Sequence, residues 1–219
     1  MEKPLKKPTT KKSNLVLLGK SPAIAPDVSL GVWPERLQRP SALIIGDHAI
    51  IRSGTIIYLN SRIGDFLQTG HHAIIREENE IGNYFSIWSG SVLDYGCKIG
   101  NRVKIHTLCY IAQYTLIEDD VFLAPGVIIA NDYHPASNFS KSCVKGPIIK
   151  KGAQIGCNAT LLPFITIGEH CLIGAGSVVT QNIPPYSVAC GNPARVVKKI
   201  NDVRCPVSLH VPYDFQTEL

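Results

Sequence analysis

Long apolar runs are missing from this chain. Its aliphatic stretches extend only a few residues, far short of the ~20 needed to span a bilayer as a helix. A cysteine framework is missing too. Seven cysteines, an odd number, fall at 97, 109, 143, 157, 171, 190 and 205 with no Cys-x-x-Cys pair. Neither a disulfide scaffold nor a zinc ribbon is expected, and a reduced, cytoplasmic setting fits. Leu15-Val16-Leu17-Leu18 is too short for the apolar core of a signal peptide. Charge is sparse, at 18% of residues against 45% apolar, which disfavours wholesale disorder. The charge bias that exists is local. Lys3, Lys6, Lys7, Lys11, Lys12 and Lys20 face Glu2 alone, whereas residues 21–219 carry 16 basic and 16 acidic side chains. The net charge of +5 therefore belongs to an N-terminal tail, and no nucleic-acid partner is expected of the neutral body.

Ile and Val are abundant, with 18 Gly and 15 Pro, a composition of strands and turns rather than of helical bundles. They are also ordered. Every sixth position from Ile45 to Ile129 is aliphatic, twelve Ile and two Leu, with Thr69 as the single break. The register returns at Ile149, Ile155, Leu161, Ile167, Ile173 and Val179. Gly follows the aliphatic at 46, 64, 82 and 100, a spacing of 18. Six residues thus make one side and 18 a full turn. Each hexad reads as a short strand and a corner, and three hexads form a triangular coil. The aliphatic points inward, and a second inward site lies four residues later: Ala49, Thr55, Ser61, Ala73, Ser91, Cys97, Val103, Cys109, Val121, Val127, Ala153, Ala159 and Cys171. The three cysteines there read as buried small hydrophobes. About seven coils are expected between 45 and 183, with a partial coil around Ile24 and Leu30. The expected division is a tail over 1–20, a β-helix over 21–195 and a C-terminal extension over 196–219.

The repeat breaks once at length. Ile129 to Ile149 is one turn plus two residues, and the segment Pro135–Gly146 loses the register. A loop is expected to leave the prism there, just after Asn131-Asp132-Tyr133-His134-Pro135. Departures from a strict repeat are where chemistry is expected.

The repeat is identified as that of the hexapeptide, left-handed parallel β-helix proteins; the handedness comes from the resemblance, since ordinary crossovers are right-handed. Residues 121–200 resemble the acetyl-coenzyme A-dependent hexapeptide acetyltransferases in three pieces: Ala124-Pro125-Gly126-Val127 followed by His134-Pro135, the run Ile167-Gly168 to Ile173-Gly174-Ala175-Gly176-Ser177-Val178-Val179-Thr180, and the ending Ile183-Pro184-Pro185 to Gly191-Asn192-Pro193-Ala194-Arg195. In galactoside, maltose and xenobiotic members the His of the His-Pro step deprotonates the acceptor, so the resemblance gives His134 the role of general base. Imidazole titrates in the range this needs. The spelling Asn131-Asp132…Pro135 also resembles members that acetylate an amino group of nucleotide-linked sugars. The resemblance implies acetyl-coenzyme A as co-substrate, a homotrimer with sites between adjacent helices, a small acceptor such as a sugar, and no metal. It leaves open whether nitrogen or oxygen is acylated.

Acceptor contacts are expected from Asn131 and Asp132, and from His106, which stands where galactoside-type members carry a substrate-binding Asn. His71 and His72 follow the Thr69 defect and are read as a candidate acceptor pocket, against plain solvent exposure. Gly174, Ala175 and Gly176 would let a pantetheine arm lie against backbone. Asn192, Arg195, Lys198 and Lys199 would meet the phosphates of coenzyme A. A backbone N–H near Ala175 or Asn158 would polarise the thioester. Trp88, Tyr84, Tyr95, Tyr110 and Tyr114 are expected on prism faces as subunit contacts. Two rivals share the repeat. A γ-type carbonic anhydrase needs two His five residues apart on one strand, but Ile111 stands five after His106. A non-catalytic assembly rod would leave the His134 loop unexplained.

Overall fold

Residues 15–207 and 213 are described by a computed structural model. Strands of mostly two or three residues succeed one another around a triangular prism and pair in parallel with the strands one coil away. The first face runs from Val16–Leu18 through Leu43–Ile45 to Thr166–Ile167, in eight strands. The second runs from Ala23–Ile24 to Leu172–Ile173 and closes with Ser187–Gly191 and the antiparallel Ala194–Lys199. The third, again eight strands, runs from Ser29–Val32 to Val178–Val179. The first coil thus begins at Val16, inside the stretch expected to be tail. The expected partial coil near Ile24 and Leu30 is a full one. The last strand, Ala194–Lys199, crosses the boundary expected at 195 into the C-terminal extension. Lys3, Lys6, Lys7, Lys11 and Lys12 lie outside the described residues.

The column of aliphatics forms the core as the period demands. Ile45, Ile51, Ile57 and their successors to Val179 are buried, and so is every member of the second inward site. That site is less uniformly small than its spelling suggested, because Leu67, Phe85 and Ile165 also fill it. Thr69 stays inside. Its hydroxyl lies 3.1 Å from that of Thr55 and accepts the Arg52 N–H at 2.9 Å, so the defect in the ladder is sealed rather than opened.

Chain direction is turned at each corner by a residue of positive φ, three after the aliphatic; His72, Tyr84, Leu108 and Phe164 are examples at 55° to 63°. The 18-residue glycine spacing has a separate cause. At the first corner, between the first and second faces, Asp47, Asp65, Asn83 and Asn101 take up the corner N–H groups of the coil below in a ladder of 2.7–2.9 Å bonds. A Cβ on Gly46, Gly64 or Gly82 would collide with the carboxylate or amide oxygen that makes each rung.

Two insertions depart from the prism. Residues 33–42 separate the first two coils, and 130–147 separate the sixth and seventh. Both emerge at the third corner, between the third and first faces.

Candidate active site

The expected residues divide between two corners that flank the third face. His134, Asn131 and Asp132 lie at the third corner. His71, His72, His106 and the Gly174–Gly176 turn lie at the second, between the second and third faces. Within one chain the two groups are not brought together.

The His134 loop is tied at its base. Asp132 pairs with Val144 across an isolated antiparallel bridge, and Lys145 N–H donates to the Asn131 carbonyl at 2.8 Å. Asp132 accepts the backbone N–H of His134 at 2.7 Å and the hydroxyl of Ser140. Those bonds, the Ser140 hydroxyl foremost, hold its carboxyl below the usual carboxylate range. Tyr133 stacks on Phe164 of the coil above, ring centroids 5.7 Å apart, and lies 6.2 Å from the His134 ring. His134 itself is exposed. The result is an imidazole held in solvent on an anchored turn, beside an ionised carboxylate.

Beneath the loop the third corner carries a polar column that the sequence did not announce. Asp94 is 6% exposed, and its carboxylate is the hub of the column. It accepts Tyr110 O–H at 2.8 Å, the Tyr95 backbone N–H at 2.8 Å and the Gln113 side-chain amide, with the Arg76 guanidinium at 3.8 Å. Burial first, then the bond to Asp94, pushes the Tyr110 phenol up to about 12. Gln113 in turn accepts Asn131 Nδ2. Lower still, Glu77 is fully buried between Arg76 (2.9 Å) and Arg36 of the 33–42 insertion (2.5 Å), and Arg36 also bonds Glu78 and covers the Tyr95 ring at 3.8 Å. A 27-residue step from Leu18 to Ile45, nine more than a coil, was the available signal for that insertion.

At the second corner His106 is half-buried between Trp88 (6.3 Å) and Phe122 (5.5 Å), and Arg52 lies 5.5 Å from the Trp88 ring. His71 and His72 are exposed two coils below; His72 stacks over Gly54 at its positive-φ corner. Trp88, Tyr95 and Tyr110 are half-buried rather than displayed, whereas Tyr84 and Tyr114 are exposed.

Of the residues expected for the co-substrate, Arg195 lies beside the glycine turn, opposite Cys190, while Lys198 and Lys199 lie further along the strand, opposite Val188 and Ser187. The turn Gly174–Gly176 abuts the terminal hairpin: Ser177 Oγ donates to Gly174 O at 2.7 Å and accepts Gly191 N–H at 3.2 Å. Asn192 sits at the hairpin tip, and Arg195, Lys198 and Lys199 follow on its exposed second strand. A Cβ on Gly176 would meet nothing within 4 Å, so one side of the turn is open. Asn158 N–H is already given to Pro125 O at 2.9 Å, while among the described residues the Ala175 N–H has no acceptor. An open glycine turn, a free N–H, Arg195 beside it and two lysines further along the same strand fit a thioester carried on a phosphorylated arm. Among the described residues no group of three His, Cys, Asp or Glu is placed to hold a metal ion. No helix there is long and apolar enough to cross a membrane.

Residues 146–181 match the family described as bacterial transferase hexapeptide (six repeats). "Putative acetyltransferase SAV2555" of Staphylococcus aureus is 44% identical over 120 residues, covering 50% of this chain and 59% of that protein. "Bifunctional protein GlmU" of a Thermotoga species is 30% identical over 181 residues, covering 71% of this chain and 40% of that one. The chain therefore spans well under two thirds of the length of these relatives. Among solved structures, LpxA, a UDP-N-acetylglucosamine acyltransferase from Bacteroides fragilis, superposes with a TM-score of 0.67 at 22% identity, over 84% of this chain and 73% of that one. The shared fold is the left-handed parallel β-helix.

Proposed function

We propose that this chain is a hexapeptide-repeat acyltransferase, like the relatives it resembles, and that it moves an acetyl group from acetyl-coenzyme A to an amine or hydroxyl of a small acceptor, most simply a sugar. The observations that carry this reading are an anchored, exposed His134 at the third corner and an open glycine turn beside Arg195 at the second, two corners that a neighbouring copy would have to bring together.

The thioester supplies an activated carbonyl carbon when bound. His134 takes the proton from the acceptor's O–H or N–H as the new C–O or C–N bond forms. The C–S bond then breaks, and the imidazolium returns the proton to the departing thiolate. The Ala175 N–H is suited to hold the carbonyl oxygen as negative charge develops on it. Asp132 steadies the backbone that carries the imidazole by accepting the His134 N–H.

The third face supports assembly as a homotrimer. Its outward strand positions are Ile56, Ile74, Val92, Tyr110, Ile128, Thr160 and Val178, whereas the same row of the first face is broken by Arg62, Glu80 and Lys98 between Ile44 and Leu116. Covering the apolar face with a second copy removes it from water. It also brings the second corner of one copy, with His106, His71 and His72, toward the third corner of another, with His134. A cytoplasmic setting suits the co-substrate.

The test is thiol release from acetyl-coenzyme A against amino sugars, nucleotide-linked amino sugars and simple hexoses. His134→Ala is expected to lower turnover by roughly 10²–10⁴-fold while coenzyme A binding is retained. An unchanged rate and pH profile with a hydroxyl acceptor would remove His134 as base and direct attention to His106. Failure to bind coenzyme A would leave an assembly rod as the better reading.

A further inference from the structure

We infer that a side-chain relay, Asp94 to Gln113 to Asn131, fixes the polarity of the acceptor site beside His134, so that Asn131 presents its carbonyl oxygen and the acceptor is held through an N–H or O–H of its own. The relay itself stands on the geometry, while its use in acceptor binding rests on the transferase reading.

Valence sets the direction of each bond. A carboxylate can only accept hydrogen bonds, and Asp94 is surrounded by donors: Tyr110 O–H, Tyr95 N–H and the Arg76 guanidinium. Facing such a group, the Gln113 amide must turn its NH₂ toward it, since its oxygen would be repelled. The Gln113 oxygen is then directed the other way, one coil up, where it can only be met by a donor. Asn131 answers with Nδ2, which also reaches the Gln113 backbone carbonyl at 3.4 Å. With its NH₂ committed downward, Asn131 has one group left, the Oδ1 oxygen, and among the described residues nothing donates to it. Asn131 is the first polar residue of the segment that carries His134 three positions later. An amide that is usually free to flip is thus set by a buried charge two coils below, and the polarity it shows to an acceptor is not its own choice.

Asp94 and Gln113 are therefore positioning residues, acting through Asn131. Asp94→Asn keeps the shape and removes the constraint, because an amide in place of the carboxylate can donate to Gln113 and let the whole relay reverse. Asn131 would then show NH₂ to the acceptor. In acetyl transfer, Asp94→Asn is expected to raise the acceptor KM about tenfold, the worth of one hydrogen bond lost, with the coenzyme A KM unchanged. Adding Asn131→Ala to it should cost nothing beyond Asn131→Ala alone. Tyr110→Phe removes a different donor from the same carboxylate, leaves the relay's polarity intact and is expected to keep the acceptor KM within about twofold.

A second readout needs no catalysis. In ¹⁵N-labelled protein the side-chain NH₂ protons of Gln113 and Asn131 should exchange slowly with solvent. Asp94→Asn should speed both, and Tyr110→Phe neither. Unchanged Asn131 exchange in Asp94→Asn overturns the relay. So does an equal rise in both KM values with a fall in melting temperature, which would mark Asp94 as merely structural. A wild type that binds coenzyme A but acylates no acceptor refutes the transferase reading, and the exchange rates still decide the relay.

Discussion

Glu77→Gln tests whether the 33–42 insertion is held to the prism by charge. The substitution keeps the volume, so no cavity confuses the result. Glu77 is fully buried and receives Arg36 Nε at 2.5 Å and Arg76 Nε and Nη2 at 2.9 and 3.1 Å. Gln can accept from one guanidinium but turns an NH₂ toward the other. Removing one partner of a fully buried pair costs about 3–5 kcal/mol. Here both arginine side chains are 33% exposed and can recover water, which reduces the loss to roughly 2–3 kcal/mol. For a chain of this size that corresponds to a melting temperature lowered by about 4–12 °C, read by thermal unfolding at pH 7. Arg36→Ala in the same background should add little, since the two share one interaction. The pH dependence supplies a further check. Burial alone would raise the Glu77 pKa, but Arg76 and Arg36 outweigh it and the folded-state value is lowered. The stabilisation is therefore fully present above the ordinary Glu value of about 4.3 and is lost as pH falls through the lower folded-state value. The gap between wild type and Glu77→Gln should close in acid. An unchanged or raised melting temperature at pH 7, or a gap that widens as pH falls, would refute the reasoning.

Three further outcomes are expected. Ile105, buried between Ile87 and Leu123 in the stack, should lose about 2–5 kcal/mol on replacement by Ala, and a variant melting with the wild type would show the hexad register to be wrong. Burial pushes the Cys97 thiol up to about 12 and raises Cys109 and Cys171, so iodoacetamide at pH 8 should modify exposed Cys157 and Cys190 first; mass spectrometry showing early modification of Cys97 would contradict its placement in the core. Ile128→Glu puts a charge on the apolar third face, where Ile128 is 41% exposed, and should yield folded monomer by sedimentation; an unchanged oligomer would show that the contacts between copies lie elsewhere.

The period of the sequence determined the prism by itself. Each coil repeats the same local demand for an inward aliphatic, a small partner four residues later and a tight corner. No long-range information is needed to read Ile45, Ile63 and Ile81 as one column. The break after Ile129 marked the His134 loop for the same reason, as a place where that demand is not met. Charge at the corners was not legible in this way. Glu77 and Asp94 are spelled like solvated corner residues, and only the 33–42 insertion and the stacking of Tyr110 and Gln113 decide that they are buried. Beyond the adjacent Arg76 and Tyr95, their partners lie 16 to 41 residues away, at the positions where 18-residue stacking and one insertion happen to bring them. Tertiary structure also decided that His106 and His134 stand on different corners. Their separation of 28 residues is one and a half coils, so the winding of the chain sets them on opposite edges of the third face.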